Sequence, residues 1–366
     1  MKSLLFSPLV LASAMSLSLV ACGSSATDQS HATDDGGPSG ETSTTPTACA
    51  VGALNPVNEG IVGGTTGLIS DGTNLFYGTI PDPRTSSYDA PHYLMGLPVA
   101  GGAPTKLATG TSGIALSSLA LDGSDLYYVL DKALNKIPKA GGTATKVYAP
   151  GGLAAIAMTF AIDDTSIFYW DAGGLAKMNK DGTGATPVFK DDKIRIGAFT
   201  VDKDNLYFVG EPPLSFKADA GTPAPSQIYS MPKSGGTPKS LMTISSDPNL
   251  EESVWQLSLD GSTLVFSTTT AILKTGVKMQ SALYAMSTSG GAVTTLAKLG
   301  DIDGPAFAAE GGSVYYGANY GDVMKIAEAG GTPTKLSRTT DGLGAVALDK
   351  TNVYYEVRGC IFKNAR

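Results

Sequence analysis

The chain has 366 residues, of which 45 are glycine, 42% are hydrophobic and only 16% are charged. This length fits two ordinary domains or one large all-β domain, and the composition favours many short strands joined by tight turns. The formal net charge of −7 opposes binding to a phosphate backbone, which requires clustered lysine and arginine. We therefore expect no nucleic-acid partner.

Residues 1–21 are predicted to be an export signal, because a basic start and an apolar stretch end in small residues. The stretch closes with Leu19-Val20-Ala21-Cys22, which resembles the lipobox of bacterial lipoproteins. The resemblance implies cleavage before Cys22, acylation of its thiol with a fatty acid such as palmitate, and anchoring in the cell envelope. Gly23 is compatible with sorting to the outer membrane. The alternative is an ordinary secretory signal with an incidental cysteine.

Residues 22–48 are predicted to be a disordered tether. From 23 to 48 the segment has no large apolar residue, no lysine and no arginine. Such a segment buries too little apolar surface to offset its chain entropy. A flexible chain of this length has an end-to-end distance of about 25–30 Å, and the folded domain is expected to span 49–366.

Two cysteines remain if Cys22 is acylated, namely Cys49 and Cys360 at opposite ends of the predicted domain. An even pair of cysteines in an oxidising compartment predicts a disulfide. The alternative is two unrelated thiols.

A repeated unit recurs seven times beyond Cys49, with a spacing of roughly 46 residues. In each unit an apolar-alternating stretch ends at an acidic residue, at Asp71, Asp122, Asp163, Asp202, Asp260, Glu310 and Asp349. An aliphatic and aromatic strand follows, as in Leu75-Phe76-Tyr77, Leu126-Tyr127-Tyr128 and Val353-Tyr354-Tyr355. A third strand then reaches a Gly-Gly or Asp-Gly pair, and in all but the last unit a fourth strand follows it. Each unit is therefore predicted to be an antiparallel sheet with tight turns.

Such sheets have two open faces, which are buried when the sheets stack radially. The predicted fold is an all-β, seven-bladed β-propeller with four strands per blade. The last unit stops after its third strand, so we expect 49–55 to supply the fourth and Cys49 to be bridged to Cys360 across the closure.

The third unit, with Ile167-Phe168-Tyr169-Trp170-Asp171 and the later Lys180-Asp181-Gly182, resembles YWTD-type propeller repeats. More broadly, 49–366 is similar to bacterial lipoproteins with DUF5050-like propeller domains. The resemblance implies a fold and no activity, and most units lack the threonine of the YWTD pattern.

No catalytic constellation is evident. The two histidines are His31 in the tether and His92 in a predicted surface loop, and the familiar nucleophile, phosphate-loop and zinc motifs are missing from the sequence. The segment 301–304 begins like a calcium loop but lacks the later glutamate, so a solvated turn is expected. Trp170 and Trp255 are interpreted as packing residues. We predict no catalytic residue, no metal site and no cofactor.

Long insertions between second and third strands are expected at 78–92, 210–226 and 268–281, all on one face. Insertions confined to one face of a repeat protein often build its binding surface, although tolerated loop growth without function is the alternative. The ligand-binding candidates in these segments are Asp82, Arg84, Tyr88, His92, Phe216, Lys217, Asp219, Lys274 and Lys278.

These features favour a monomeric, membrane-tethered extracytoplasmic module that binds a protein, peptide or glycan. The alternative is a hydrolase or lyase acting on a polymer, with carboxylates at the channel mouth replacing histidine chemistry. Two converging acidic groups with shifted pKa values would favour the enzyme, and small apolar residues lining the channel would favour binding.

Overall fold

The computed structural model describes residues 47–55, 57–58, 65–79, 91–110, 116, 118–149, 159–171, 174–211, 226–244, 250–272, 278–300, 305–318, 321–339 and 341–366. Over these ranges every regular element is a β-strand. Helices long and apolar enough to cross a membrane do not occur in them.

Two short strands precede the blades, β1 (Thr47–Ala48) and β2 (Val57–Asn58), which pair with each other. Blades 1 to 3 consist of β3 (Thr65–Ser70), β4 (Asn74–Thr79), β5 (His92–Pro98), β6 (Thr105–Gly110), β7 (Leu119–Asp122), β8 (Asp125–Leu130), β9 (Ala133–Pro138), β10 (Thr145–Tyr148), β11 (Thr159–Ile162), β12 (Ser166–Asp171), β13 (Gly174–Asn179) and β14 (Thr186–Phe189). Blades 4 to 7 consist of β15 (Arg195–Val201), β16 (Asn205–Glu211), β17 (Gln227–Pro232), β18 (Lys239–Thr243), β19 (Leu250–Asp260), β20 (Thr263–Ile272), β21 (Lys278–Ser287), β22 (Val293–Gly300), β23 (Phe307–Glu310), β24 (Ser313–Ala318), β25 (Asp322–Ala327), β26 (Thr334–Arg338), β27 (Ala345–Leu348), β28 (Asn352–Val357) and β29 (Cys360–Ala365).

Each blade is an antiparallel sheet whose strands follow one another in chain order. The first strand of each blade approaches the first strands of both neighbouring blades, from β3 round to β27 and back to β3. The first strands therefore ring a central channel, and the predicted seven-bladed β-propeller is confirmed.

In four blades the acidic residue after the first strand shapes the turn that follows. Asp71 Oδ1 accepts hydrogen bonds from the backbone N–H groups of Thr73 (2.9 Å) and Asn74 (2.7 Å). Asp163, Asp202 and Asp349 accept the equivalent hydrogen bonds from backbone N–H groups two and three residues ahead. A short carboxylate can bond backbone groups two and three residues ahead, which explains why the repeat keeps an acid there.

The core consists of seven apolar clusters, one between each pair of neighbouring blades. In the second strand of each blade, the last two residues of the aliphatic and aromatic run, such as Phe76-Tyr77, face opposite neighbours, because side chains alternate along a strand. We call these two residues the doublet. In blade 1, Phe76 packs towards blade 2, whereas Tyr77 packs with Tyr354 towards blade 7. The doublets therefore form the contacts between blades.

The last blade has three regular strands, and the segment before blade 1 occupies its fourth position. The N–H of Leu54 donates to Ile361 O (2.7 Å), and the N–H of Ile361 donates to Asn55 Oδ1 (2.7 Å). The predicted disulfide between Cys49 and Cys360 is present, with the two Cα atoms 5.6 Å apart. A side-chain amide thus replaces part of the backbone ladder, and the disulfide joins both chain ends of the ring.

Ion pairs join neighbouring blades at the turns. The acid after a first strand meets a cation that follows the third strand of the next blade, in the pairs Asp71–Lys139 (2.8 Å), Asp122–Lys180 (2.8 Å), Asp163–Lys233 (2.5 Å) and Glu310–Arg366. Burial opposes ionisation of Asp163, but Lys233 and two backbone N–H groups outweigh it and lower the pKa of Asp163 to about 2.

Candidate functional site

The two ends of the ring differ in their connections. Turns from first to second strand and from third to fourth strand leave at one end, which we call the tight-turn face. Connections from second to third strand and from blade to blade leave at the other end, which we call the long-loop face. Since an antiparallel meander alternates its ends, this assignment follows from the strand order alone.

Most of the predicted binding residues lie outside the described residues, as do Cys22, His31, the segment 301–304 and all but the last two residues of the tether. The binding candidates among them are Asp82, Arg84, Tyr88, Phe216, Lys217, Asp219 and Lys274. The flanking strands fix where their segments leave the ring. Residues 80–90, 212–225 and 273–277 all depart from the long-loop face.

The prediction that His92 is a surface loop residue is wrong. His92 is the first residue of β5, it pairs with Gly110, and its side chain is 6% exposed. Its Nδ1 lies 3.1 Å from Thr79 O. Strand β5 has already begun at this residue, so neighbouring strands enclose the imidazole of His92.

The predicted insertion at 268–281 is largely strand, so this prediction is also wrong. Strands β20 and β21 pair without interruption from Thr263 opposite Ser287 to Ile272 opposite Lys278. The run Thr268-Thr269-Thr270-Ala271-Ile272 is rich in β-branched residues, which favour a pleated strand. Blade 5 thus extends its sheet towards the long-loop face, and Lys278 begins a strand.

Trp255 was interpreted as a packing residue, and that interpretation is wrong as well. It lies on β19, where the register shifts between Val254 and Gln256, and it is 44% exposed. It belongs to neither of the apolar clusters that flank blade 5. Trp170, by contrast, packs against the cluster between blades 3 and 4, as predicted.

Small residues occupy the positions equivalent to Trp255 on neighbouring first strands. We define the channel mouth by four equivalent pairs, which are Gly197-Ala198, Trp255-Gln256, Pro305-Ala306 and Gly344-Ala345. Each pair directly precedes a residue that lies opposite the last aromatic of its blade's doublet. Trp255 is the one large apolar side chain of these eight.

Two carboxylates lie beside glycines of the channel mouth. Glu211 lies beside Gly197 and forms an ion pair with Arg195, while burial raises the pKa of Glu211 against the opposing effect of the guanidinium. Glu356 lies beside Gly344, is almost fully buried and accepts the N–H of Gly359. The two acids belong to blades 4 and 7, which are not neighbours, and both are engaged within the protein.

The carboxyl pair with the most shifted pKa lies elsewhere. Asp260 and Glu328 meet at the tight-turn face between blades 5 and 6, where burial and the neighbouring acid raise the pKa of Glu328 to about 7. In the described part of the chain, no group of three or more His, Cys, Asp and Glu side chains could hold a metal ion. Among the described residues, two converging acidic groups, as the enzymatic alternative requires, are therefore not seen at the channel mouth.

Sequence reasoning missed Arg195 and Glu211 and interpreted Trp255 wrongly. An aromatic residue in a strand pattern reads as core, and a bulge leaves little signal in the sequence. The one available clue was Gly197, since glycine inside a strand often marks a bulge.

Comparison with known proteins shows the fold and no family. No family model matches the chain, and no curated protein is similar to it in sequence. Among solved structures, an oligogalacturonate lyase in complex with manganese superimposes with a TM-score of 0.55 at 13% identity, covering 81% of this chain and 86% of that one.

Two further structures give similar agreement. The oligogalacturonate lyase from Vibrio parahaemolyticus has a TM-score of 0.53 at 11% identity and covers 81% of this chain and 87% of its own. The computationally designed Ika8 protein has a TM-score of 0.53 at 12% identity and covers 86% of this chain and all of its own. At these identities the likeness extends to the propeller architecture alone.

Proposed function

We propose that the protein is a lipid-anchored binding module of the bacterial cell envelope that presents its long-loop face to a protein, peptide or glycan. The export signal and the lipobox at Cys22 support the anchor, and the segment 22–48 supports a tether. The disulfide between Cys49 and Cys360 fits an oxidising compartment outside the cytoplasm. The outer membrane is the proposed location, and the protein is proposed to act as a monomer.

The observation that carries this proposal is the asymmetry between the two ends of the ring. The described turns of the tight-turn face are short, and they are stabilised by hydrogen bonds to aspartate side chains and by ion pairs between blades. The connections at 80–90 and 212–225 leave from the other face, as does the extended hairpin of blade 5. Binding residues are concentrated on loops that a rigid scaffold positions.

The channel mouth supports binding rather than catalysis. Its pairs are mostly glycine, alanine and proline, and its two nearby carboxylates are already engaged. The nine ligand-binding candidates remain a proposal, among which Lys278 stands at the start of β21. His92 is buried at the start of β5, and the other seven belong to segments whose flanking strands end at the long-loop face.

Affinity capture from native envelope with the full chain tests the binding role. We would replace 80–90 and 212–225, each by an Asn-Gly turn, and compare capture with the unmodified protein. Loop length costs little stability, so the thermal midpoint should hold while the captured partner is lost. The matched control is a double substitution on the tight-turn face, Lys203→Ala with Lys350→Ala, which should capture normally. Equal capture by the loop variant and the wild type would refute the assignment.

Mass spectrometry of the native protein tests the anchor. The mature chain should begin at Cys22 and carry acyl mass, whereas Cys22→Ser should release a soluble chain with an unchanged fold. A native product that begins at another residue would exclude lipidation.

A further inference from the structure

Trp255 is exposed in a way that packing does not explain. The described chain has two exposed large apolar side chains, Val51 in the segment before the blades and Trp255 within a blade. The bulge on β19 places an extra residue on the first strand, and bulges re-aim side chains next to functional sites. An indole that is 44% exposed beside a channel is available to a ligand.

The positions that flank Trp255 carry small residues. The equivalent residues on the two flanking blades are Gly197 and Pro305, and their following neighbours are Ala198 and Ala306. None of these four has a long side chain to cover the indole from its own position. The exposed part of the indole therefore belongs to neither of the apolar clusters that flank blade 5.

The polar groups near the mouth are already used within the protein. The amide of Gln256 donates to Phe307 O at 3.0 Å, Glu211 is paired with Arg195, and Glu356 accepts the N–H of Gly359. A sugar ring needs several unengaged donors and acceptors around an aromatic platform, because its hydroxyls lose water on binding. The mouth instead offers apolar contact, which suits the side chain of a polypeptide.

The neighbouring first strand begins with a cation that is partly exposed, although it is paired. Arg195 begins β15, on the first strand next to that of Trp255, and its side chain is 39% exposed although it is paired with Glu211. A guanidinium carries five N–H donors, and the buried Nε of Arg195 has no acceptor among the described residues. An acidic group on the ligand would complement this cation.

We propose that Trp255 is the anchor for a polypeptide segment that enters the channel mouth, with an aromatic or large aliphatic side chain against the indole and an acidic residue near Arg195. This inference rests on the proposed binding function of the long-loop face and names its ligand class. Tryptophan and arginine dominate the energetically important contacts of protein interfaces, usually near their centre.

The test is selection of phage-displayed random linear peptides on the full chain, followed by affinity measurement for the enriched peptides. We expect enrichment of an aromatic or large aliphatic residue close to an acidic one. Trp255→Ala should weaken binding by at least about 30-fold, as expected for the loss of an interface anchor. Trp255→Phe should retain most of the affinity, and the control Val51→Ala should bind as the wild type does.

A second readout is independent of affinity. The chain has only two tryptophans, so in a Trp170→Phe background the emission of Trp255 should shift to shorter wavelength when an enriched peptide binds. No enriched peptide, or binding by Trp255→Ala within twofold of the wild type, would overturn the inference. An oligosaccharide array that binds in a Trp255-dependent manner would overturn it in favour of a glycan.

The outcomes separate this inference from the proposed function. If the loop replacements abolish partner capture while Trp255→Ala does not, the long-loop face binds but Trp255 is not its anchor. If neither change affects capture, the proposed function itself is wrong.

Discussion

Glu328 occupies a position at which other blades place a cation. It directly follows the third strand of blade 6, as Lys139, Lys180 and Lys233 follow the third strands of blades 2, 3 and 4. Each of those lysines pairs with the acid of the preceding blade, whereas Glu328 meets Asp260. Both acids are tied to Gly312, whose N–H donates to Asp260 Oδ2 (2.7 Å) and whose C=O accepts the N–H of Glu328 (3.0 Å).

This pair makes stability depend on pH in a defined direction. The pKa of Glu328 is raised from 4.5 to about 7 by burial and by Asp260, so the folded state binds a proton more tightly than the unfolded state does. The stabilisation is fully present below pH 4.5 and is lost as the pH rises towards 7.

We predict that Glu328→Lys raises the thermal midpoint at pH 8 and abolishes this loss between pH 5 and pH 8. The new ammonium would pair with Asp260 as the other lysines pair with their acids. Glu328→Gln is the control, since it removes the repulsion without adding a cation, and its gain at pH 8 should be smaller. Calorimetry across this range measures both effects, and a lysine variant no more stable than the glutamine variant at pH 8 would contradict the pairing.

Single residues were predicted well where the repeat constrains them. The two residues of each doublet face different neighbouring blades because the second strand of every blade uses the same register. The sequence shows that register seven times. The interpretation of Trp255 is wrong because a one-residue shift changes the face on which a side chain lies. The prediction for His92 is wrong because β5 already begins at this residue. Neither a bulge nor the start of a ladder is visible in a single sequence.

At the scale of the blade, Asp163 makes two kinds of contact. Asp163 accepts hydrogen bonds within its own turn and also pairs with Lys233 of the next blade, whereas Asp181 accepts hydrogen bonds from Thr183 within its own turn. The difference separates the contribution of the turn from that of the link between blades.

We predict that Asp163→Ala lowers the free energy of unfolding at pH 7 by about 1–2 kcal/mol, a figure reduced for solvent screening. The pKa of Asp163 is lowered to about 2, so its stabilisation is present above pH 3.8 and disappears as the pH falls towards 2. Denaturant titrations at pH 7 and pH 2 should show the difference only at pH 7. Asp181→Ala serves as the control and should cost less, and equal costs would show that the link between blades contributes little.

Element boundaries were predictable where Asp-Gly and Gly-Gly pairs mark them, and less so elsewhere. The extended hairpin of blade 5 was read as a loop because its threonines and serine resemble turn residues in composition. Their pairing with β21 decides the matter, and such pairing depends on residues some ten positions away in sequence.

At the scale of the whole molecule, stability depends on how the ring is closed. The fourth position of blade 7 is held by a few hydrogen bonds around Leu54 and Asn55 and by the disulfide, which spans 311 residues of sequence. A long bridged loop restricts the unfolded chain strongly, although the measured gain is often below the entropic estimate.

We predict that Cys360→Ser lowers the free energy of unfolding by about 2–5 kcal/mol. The control Cys22→Ser should leave the unfolding free energy unchanged. In unreduced denaturant, a thiol reagent should find no reactive group at Cys49 or Cys360. Modification of both cysteines without reductant would show that the bridge does not form in the native protein.

The architecture of the whole molecule could be predicted because repetition supplies seven independent readings of one pattern, and because the missing last strand points to the other chain end. The ligand could not be predicted, because repetition explains the scaffold and the non-repeating residues carry recognition.

The position of the disulfide also fixes how the ring carries mechanical load. A pull on residue 47 from the amino-terminal side reaches Cys49 two residues later and crosses to Cys360 in β29. The force is then shared between the first and last blades and does not peel the segment around Leu54 from its neighbours. Reduction would remove this cross-link. The same pull would then separate the segment around Leu54 from β29, starting with the hydrogen bonds of Leu54 and Asn55.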